Sequence, residues 1–196
     1  MKKHLLLFAI LLFSISTFAQ DTRPASNVVM KQAYTQAKKE KKNVLLMFHA
    51  SWCGWCKKMD ASLEDPSCKK FFDDNYVVTH LDVLEQPAKA TLENPGSLEL
   101  LKALKGEKSG LPFWVILDAK GKLLGDSQIR PAGASLNTRG ESIGCPAAEN
   151  EVAYFLRLLK STSKLNDEQL AIIGKRFAMN KPVPVTKPAA PVSSSK

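Results

Sequence analysis

Beyond its first residues, the sequence lacks any long apolar run, and this absence argues against a membrane-spanning protein. No later stretch approaches the ~20 consecutive apolar residues that a helix needs to cross a bilayer. No internal repeat is visible either. The chain has 196 residues, 44% of them hydrophobic, so it can form one domain with its own core but is short for two.

The sequence also lacks a stripe of arginines interleaved with aromatic residues, which would indicate a nucleic-acid surface. The net charge is +9, but Lys2 and Lys3 belong to an N-terminal targeting pattern, and other cations lie near the C-terminus. Elsewhere cations alternate with acids, as in residues 38–42, which is typical of a solvated helix face. We therefore expect no nucleic-acid partner.

The N-terminus predicts export from the cytosol. Lys2 and Lys3 precede a short apolar run at 5–13, and Thr17 and Ala19 are small residues at the positions that a signal peptidase reads. A membrane anchor is the alternative, but about nine apolar residues are too few to span a bilayer. We expect residues 1–19 to be a signal peptide cleaved after Ala19, and the mature protein to be periplasmic or secreted.

Patterns of apolar residues predict an α/β protein over residues 20–180, followed by a disordered tail at 181–196 that is rich in Pro, Ala, Ser and Lys. Parallel crossovers and one terminal antiparallel hairpin fit the order of elements. Helices are predicted at 26–42, 53–63, from Asp65-Pro66, at 97–104, 149–160 and from Asn166; strands are predicted at 44–48, 76–83, 113–117 and 122–127, and a loop at 130–145.

The motif Trp52-Cys53-Gly54-Trp55-Cys56 carries the predicted chemistry. It lies between a buried strand and a helix, so Cys53 begins the helix, where unpaired N–H groups and the helix dipole favour a thiolate. Cys56, one turn on, can attack a mixed disulfide formed by Cys53. We therefore predict Cys53 as the nucleophile and Cys56 as the resolving thiol, with Trp52 covering the sulfurs and Gly54 allowing a tight turn.

The cysteine pair has three other possible uses. A structural disulfide is weakly favoured, because a two-residue loop constrains the unfolded chain little. A zinc site would need Cys68, Cys145 or His49, and these cysteines lack the short spacing that structural zinc sites use. Covalent haem attachment needs a histidine after the second cysteine, where Lys57 stands. No metal and no cofactor are expected.

The segment from Phe48 to Met59 resembles the active site of the thioredoxin-like superfamily, particularly its exported bacterial branch. Gly110-Leu111-Pro112-Phe113 is similar to the family's second signature, a residue followed by a cis-proline. The resemblance implies a central mixed sheet flanked by helices, to which this chain adds a C-terminal helix. It also implies that the backbone of Leu111 and Pro112 binds an extended substrate segment.

Two positions depart from the family pattern. Met47 stands where many members have a buried acid that accepts the proton of the resolving cysteine. His49 is the candidate substitute, and the alternative is that it only packs beside the motif. Trp55 stands where the commonest reducing members have proline, so the direction of electron flow stays open. Lys57 either stabilises the thiolate or is an ordinary solvated lysine, and Trp55 is expected to be exposed and to contact substrate.

Cys68 and Cys145 are interpreted through the same resemblance. In the family, the helices near these two positions lie on one face of the sheet, which favours a disulfide between them. The alternatives are buried free thiols, or Cys68 as a third redox residue.

The function expected from the sequence is that of an exported thiol–disulfide oxidoreductase. Its partners would be protein thiols and disulfides, with a membrane thiol carrier supplying electrons in the reducing direction. No dimerisation domain is visible, so a monomer is expected. The alternative is a thioredoxin-fold binding module that captures a peptide or metal without turnover.

Overall fold

The computed structural model describes residues 23–181, and a four-stranded mixed sheet lies at its centre. The strands are β1 (Asn43–His49), β2 (Tyr76–Asp82), β3 (Phe113–Leu117) and β4 (Leu123–Asp126), in the order β2-β1-β3-β4. β1 pairs in parallel with β2, while β3 is antiparallel to both β1 and β4. The thioredoxin-like fold is confirmed, although the described sheet has one parallel pair where several parallel crossovers were predicted.

Six α-helices flank the sheet within the described residues. They are α1 (Ser26–Glu40), α2 (Gly54–Leu63), α3 (Lys69–Asn75), α4 (Ser97–Ala103), α5 (Glu149–Thr162) and α6 (Asp167–Ala178), and a 3₁₀ turn covers Pro87–Leu92. α6 starts where predicted, because the Asn166 side chain accepts the Gln169 N–H and the Gln169 side chain accepts the Asn166 N–H.

The sheet is covered on both faces, which explains why β1 is a continuous apolar run. Leu45 and Met47 point to one face, towards α2, α3, α5 and α6. Val44, Leu46 and Phe48 point to the other face, towards α1 and α4.

The additional C-terminal helix is part of the core. The Phe155 ring lies 5.1 Å from the ring of Trp114 on β3 and 4.9 Å from that of Phe177 on α6. Phe72 on α3 stacks on Phe155 at 6.3 Å. Since all four side chains are at most 1% exposed, α5 and α6 are joined to the sheet by one aromatic cluster.

The helix predicted from Asp65-Pro66 begins later, at Lys69. The Asp65 carboxylate accepts hydrogen bonds from the N–H and hydroxyl of Ser67, which hold a turn in front of the helix. The predicted first helical residue therefore lies in that turn.

The region predicted to be loop at 130–145 contains a strand. Glu141–Ser142 pairs with Gln128–Ile129 in a separate two-stranded sheet. Arg130 fixes this segment through a bidentate ion pair with the fully buried Asp126, at 2.7 Å for each contact.

The predicted signal peptide at 1–19 and the tail from 182 onward lie outside the described residues. Between residues 23 and 181, no helix combines the length and hydrophobicity that crossing a membrane requires.

Candidate active site

Cys53 and Cys56 form a disulfide at the N-terminus of α2. Their sulfurs are 1.99 Å apart and their Cα atoms 5.3 Å apart. Cys53 is the N-cap of α2, and its Sγ accepts the Cys56 N–H at 3.0 Å. The sulfur of residue 53 thus occupies the position where a helix stabilises negative charge.

The pair lies just below the surface between two exposed tryptophans. Cys53 is 3% exposed and Cys56 1%, whereas Trp52 and Trp55 are 51% and 40% exposed. Trp52 is held by its indole N–H, which donates to the Leu84 carbonyl at 2.8 Å.

A carboxylate fixes the loop that leads into the motif. Glu85 accepts hydrogen bonds from the Ser51 N–H at 2.5 Å and from the Ser51 hydroxyl at 2.8 Å. Burial alone would raise the pKa of Glu85, but these two bonds, together with the nearby Lys89 and His49, lower it. Glu85 therefore anchors the loop in its charged form.

The second signature lies beside the disulfide. The Leu111–Pro112 peptide bond is cis, and Leu111 packs against Ala50, Cys53 and Cys56. Pro112 is buried. A groove of about 270 Å³ adjoins them, with Trp55, Leu111 and Gly144 among its lining residues.

A polar cluster lies beneath the motif, on the α2 side of the sheet. The fully buried Met47 occupies the position at which the sequence resemblance would place an acid. His49 is the next residue of β1 that points to the same face of the sheet. His49 Nε2 lies 3.2 Å from Asp82 Oδ1. Burial and the neighbouring His80 lower the pKa of His49, against the opposing effect of Asp82.

The structure contradicts the predicted disulfide between Cys68 and Cys145. Both are buried free thiols. The Cys145 sulfur accepts the Asn180 amide at 3.3 Å, while Cys68 contacts the Ser67 hydroxyl at 3.5 Å. Burial raises the pKa of Cys68, and raises that of Cys145 to about 12. Their placement on one face of the sheet was a correct expectation, since both join the same core cluster, but that does not bring two sulfurs into bonding geometry.

The role predicted for Gly54 is also wrong. Its φ is not positive, and a Cβ added there would meet nothing within 4 Å. Gly54 is simply the first residue of α2. Lys57 is exposed, and it is Lys58 whose ammonium lies over the Trp55 ring, at 4.3 Å from its centroid.

The sequence reasoning missed three residues of the site: Asp60, His80 and Asp82. His80 Nε2 lies 2.9 Å from Asp60 Oδ1. Strand periodicity could have indicated two of them, because His80 and Asp82 are two residues apart and so point to the same face of β2. In the sheet they pair with Met47 and His49 of β1.

The fold and this site define a class of protein. A disulfide at the start of the helix after a buried strand, with a cis-proline packed beside it through Leu111, is the arrangement of a thioredoxin-type disulfide oxidoreductase.

Comparison with known families agrees with that class. Residues 28–119 match a family model described as thioredoxin-like. This stretch, a little under half of the chain, is similar to the thioredoxin-like superfamily. A search of curated proteins finds no match.

Several solved structures are similar to the chain. A disulphide isomerase from Xylella fastidiosa Temecula1 is 27% identical, over 49% of this chain and 68% of that one, with a TM-score of 0.41. A DsbH oxidoreductase is 25% identical, over 74% and 85%, with a TM-score of 0.43. The oxidised DsbD C-terminal domain of Neisseria meningitidis is 21% identical, over 72% and 99%, with a TM-score of 0.42. Because all three scores are below 0.5, no functional conclusion rests on them.

Proposed function

We propose that the chain is an exported thiol–disulfide oxidoreductase that exchanges disulfides with client proteins through Cys53 and Cys56. The observation that carries the proposal is the Cys53 sulfur capping α2 while bonded to Cys56. In the reduced state, the same N–H groups and helix dipole stabilise a Cys53 thiolate and lower its pKa.

The exchange proceeds in two steps. The Cys53 thiolate attacks one sulfur of a client disulfide, forms a mixed disulfide and releases the other client sulfur as a thiolate, which takes up a proton. Cys56 then loses its proton and attacks the Cys53 sulfur. The second client thiol leaves, the client has gained two electrons, and the Cys53–Cys56 disulfide is closed. Oxidation of a client is the same sequence in reverse.

The residues around the pair have proposed supporting roles. The backbone of Leu111 and Pro112 is proposed to hold an extended client segment, with Trp52 and Trp55 on either side of the sulfurs. His49 is proposed to accept the proton of Cys56 in place of the missing acid at Met47; the lowered pKa of His49 supports this, because a neutral imidazole can accept a proton. Lys57, being exposed, is proposed only as a weak, solvent-screened support for the thiolate.

Export and partners are proposed from the sequence. Lys2, Lys3 and Ala19 support a signal peptide cleaved after Ala19, and hence a periplasmic or secreted protein. Outside the cytosol, a reductase needs an electron source, so a membrane thiol carrier is proposed as the partner in that direction. We propose that the protein acts as a monomer.

An insulin-reduction assay with dithiothreitol tests the catalytic proposal. The wild-type chain is expected to accelerate the precipitation of reduced insulin, and Cys53→Ser to return it to the uncatalysed rate. Cys145→Ser is the matched control, because this thiol is buried and protonated, and it should retain activity. A non-catalytic binding module would show no acceleration in the wild type and no response to Cys53→Ser.

The direction of exchange is tested by the reduction potential of the Cys53–Cys56 couple, measured in glutathione buffers. A potential near −270 mV would make the protein a reductant, and one near −120 mV an oxidant, roughly the values of thioredoxin and DsbA. Cys56→Ser should accumulate a mixed disulfide with the client in either case, because the resolving thiol is absent.

A further inference from the structure

Two of the chain's three histidines meet below the cysteine motif. His49 ends β1 and His80 lies on β2, and their ring centroids are 4.9 Å apart. The two strands are parallel neighbours, and His49 pairs with Asp82, two residues beyond His80. The same strand pairing therefore brings both imidazoles to one face of the sheet.

Two carboxylates complete this cluster. Asp60 on α2 places Oδ1 2.9 Å from His80 Nε2, and Asp82 places Oδ1 3.2 Å from His49 Nε2. One ligand atom from each of His49, His80 and Asp60 lies within 4.8 Å of the other two. Three elements, β1, β2 and α2, thus contribute one potential metal ligand each.

These separations are close to those around a bound metal. Zinc lies about 2.1 Å from histidine nitrogen and carboxylate oxygen, so tetrahedral ligands are about 3.4 Å apart. The His80–Asp60 pair, at 2.9 Å, is about 0.5 Å closer than this, so the two side chains must part slightly when an ion displaces the proton between them. The widest separation, at most 4.8 Å, must shorten by up to about 1.4 Å, which the two side chains can share.

Access and mobility are also suitable. The side chains of His49, His80 and Asp60 are 24%, 34% and 38% exposed, so they can adjust and an ion can reach them. They line a cavity of about 200 Å³ with Leu63, Glu64 and Val78.

Asp82 supplies the outer support that metal-binding histidines usually have. Its carboxylate is 12% exposed and is held by Arg23 at 3.1 Å. Accepting a hydrogen bond from His49 Nε2 keeps the imidazole proton on that nitrogen, so that the lone pair of Nδ1 is free for a metal.

We propose that His49, His80 and Asp60 bind one divalent transition-metal ion, and that this ion is Zn²⁺. A fourth coordination position is open to water. Two imidazoles and one carboxylate suit zinc better than magnesium or calcium, which prefer oxygen ligands alone. The site uses no cysteine, but it shares His49 with the proposed oxidoreductase function, so a bound ion would withdraw that imidazole from accepting the Cys56 proton.

Isothermal titration with ZnCl₂ tests the site in the chain purified without an affinity tag. The protein is kept oxidised, so that Cys53 and Cys56 cannot act as thiolate ligands. We expect one Zn²⁺ per chain, with affinity lowered about 100-fold or more in His80→Ala and in Asp60→Asn. The matched control is Glu64→Gln: Glu64 lines the same cavity but pairs with Lys69 at 3.0 Å, and this variant should bind within twofold of wild type.

Titration with Co²⁺ identifies the ligands directly. Nitrogen and oxygen ligation gives visible d–d bands without the near-ultraviolet thiolate charge-transfer band, whereas that band would assign the metal to cysteines and overturn the proposal. Absence of stoichiometric Zn²⁺ binding, or unchanged affinity in both His80→Ala and Asp60→Asn, would also overturn it. Circular dichroism melts confirm that the variants fold; should His80→Ala unfold, Asp60→Asn, at a side chain 38% exposed, decides the matter.

Discussion

The two pairs of cysteines in this chain are of one residue type but lie in opposite environments. Cys53 and Cys56 are at a helix N-terminus just below the surface, bonded to each other and flanked by exposed tryptophans. Cys68 and Cys145 lie inside the core cluster built from α2, α3, α5 and α6, unbonded, with pKa values raised by burial. Local backbone and desolvation, rather than residue type, decide which thiols react.

The same contrast divides the molecule. The end of the sheet that carries the motif holds polar and ionisable groups, such as His49, Asp82 and Glu85, in hydrogen-bonded pairs. The α5–α6 side is dominated by aromatic packing around Phe155. We therefore expect substitutions at the first region to change chemistry and those at the second to change stability.

Thiol alkylation should give the largest difference. At pH 8, Cys145, with a pKa of about 12, is protonated in all but about one molecule in 10⁴, so it should react with iodoacetamide roughly a thousandfold more slowly than an ordinary cysteine, as judged by mass mapping of the native reduced protein. Because the raised pKa lies far above pH 9 as well, moving to pH 9 should speed this slow reaction about tenfold. Reduced Cys53 should react with iodoacetamide before the other cysteines. Equal alkylation rates at Cys53 and Cys145 would contradict the difference in reactivity between the two pairs.

Phe155→Ala tests the aromatic side of the comparison. Phe155 is fully buried against Trp114, Phe72 and Phe177, so its truncation leaves a cavity and should lower the free energy of unfolding by about 3–5 kcal/mol in urea titrations. Trp55→Ala, at a residue 40% exposed, is the control and should change it by less than about 0.5 kcal/mol. A loss below 1 kcal/mol for Phe155→Ala would contradict the packing described.

Asn180→Ala probes the polar contact that links the end of α6 to α2. The Asn180 amide donates to Ser62 at 2.9 Å and to Cys145 at 3.3 Å, so its removal leaves buried acceptors unpaired and should cost about 1–3 kcal/mol of unfolding free energy. Asn137→Ala, at an exposed residue, should be neutral. If both variants unfold at the same urea concentration, the bonds of Asn180 contribute nothing.

Gly54→Ala should have the smallest effect, and of opposite sign. A Cβ meets nothing at this helical position, so alanine should stabilise the protein by about 0.4–1 kcal/mol through the unfolded chain. Gly106→Ala is the contrasting variant, because its Cβ would overlap Leu101 and the Phe113 ring and should destabilise. Destabilisation by Gly54→Ala would restore the tight-turn role that the sequence suggested.

Local patterns predicted much of the fold. The apolar run at 44–48 and the Asn166 cap each gave the correct element at the correct place, because short-range periodicity and hydrogen bonding determine them. The cis bond before Pro112 was expected from the family resemblance alone. The strand Glu141–Ser142 was not predicted, because two residues are too few to show an alternation of apolar and polar side chains. It is held by pairing with Gln128–Ile129, across the intervening loop.

The site was predicted only where it is continuous in sequence. Cys53, Cys56 and the cis bond before Pro112 are found within two short motifs. The contact of His80 with Asp60 depends on how α2 lies over β2, and the unbonded state of Cys68 and Cys145 depends on how their elements pack in the core. The spacing of residues in the sequence predicts neither of these packing arrangements.

The contact between Trp114 and Phe155 determines where the protein can be divided. Trp114 lies inside the stretch shared with the family model, and Phe155 lies beyond its end at residue 119. A fragment trimmed to the shared stretch would remove Phe155 from the Trp114 ring, together with Phe177, which packs on Phe155. We therefore expect such a fragment to need residues through α6 to keep its core covered.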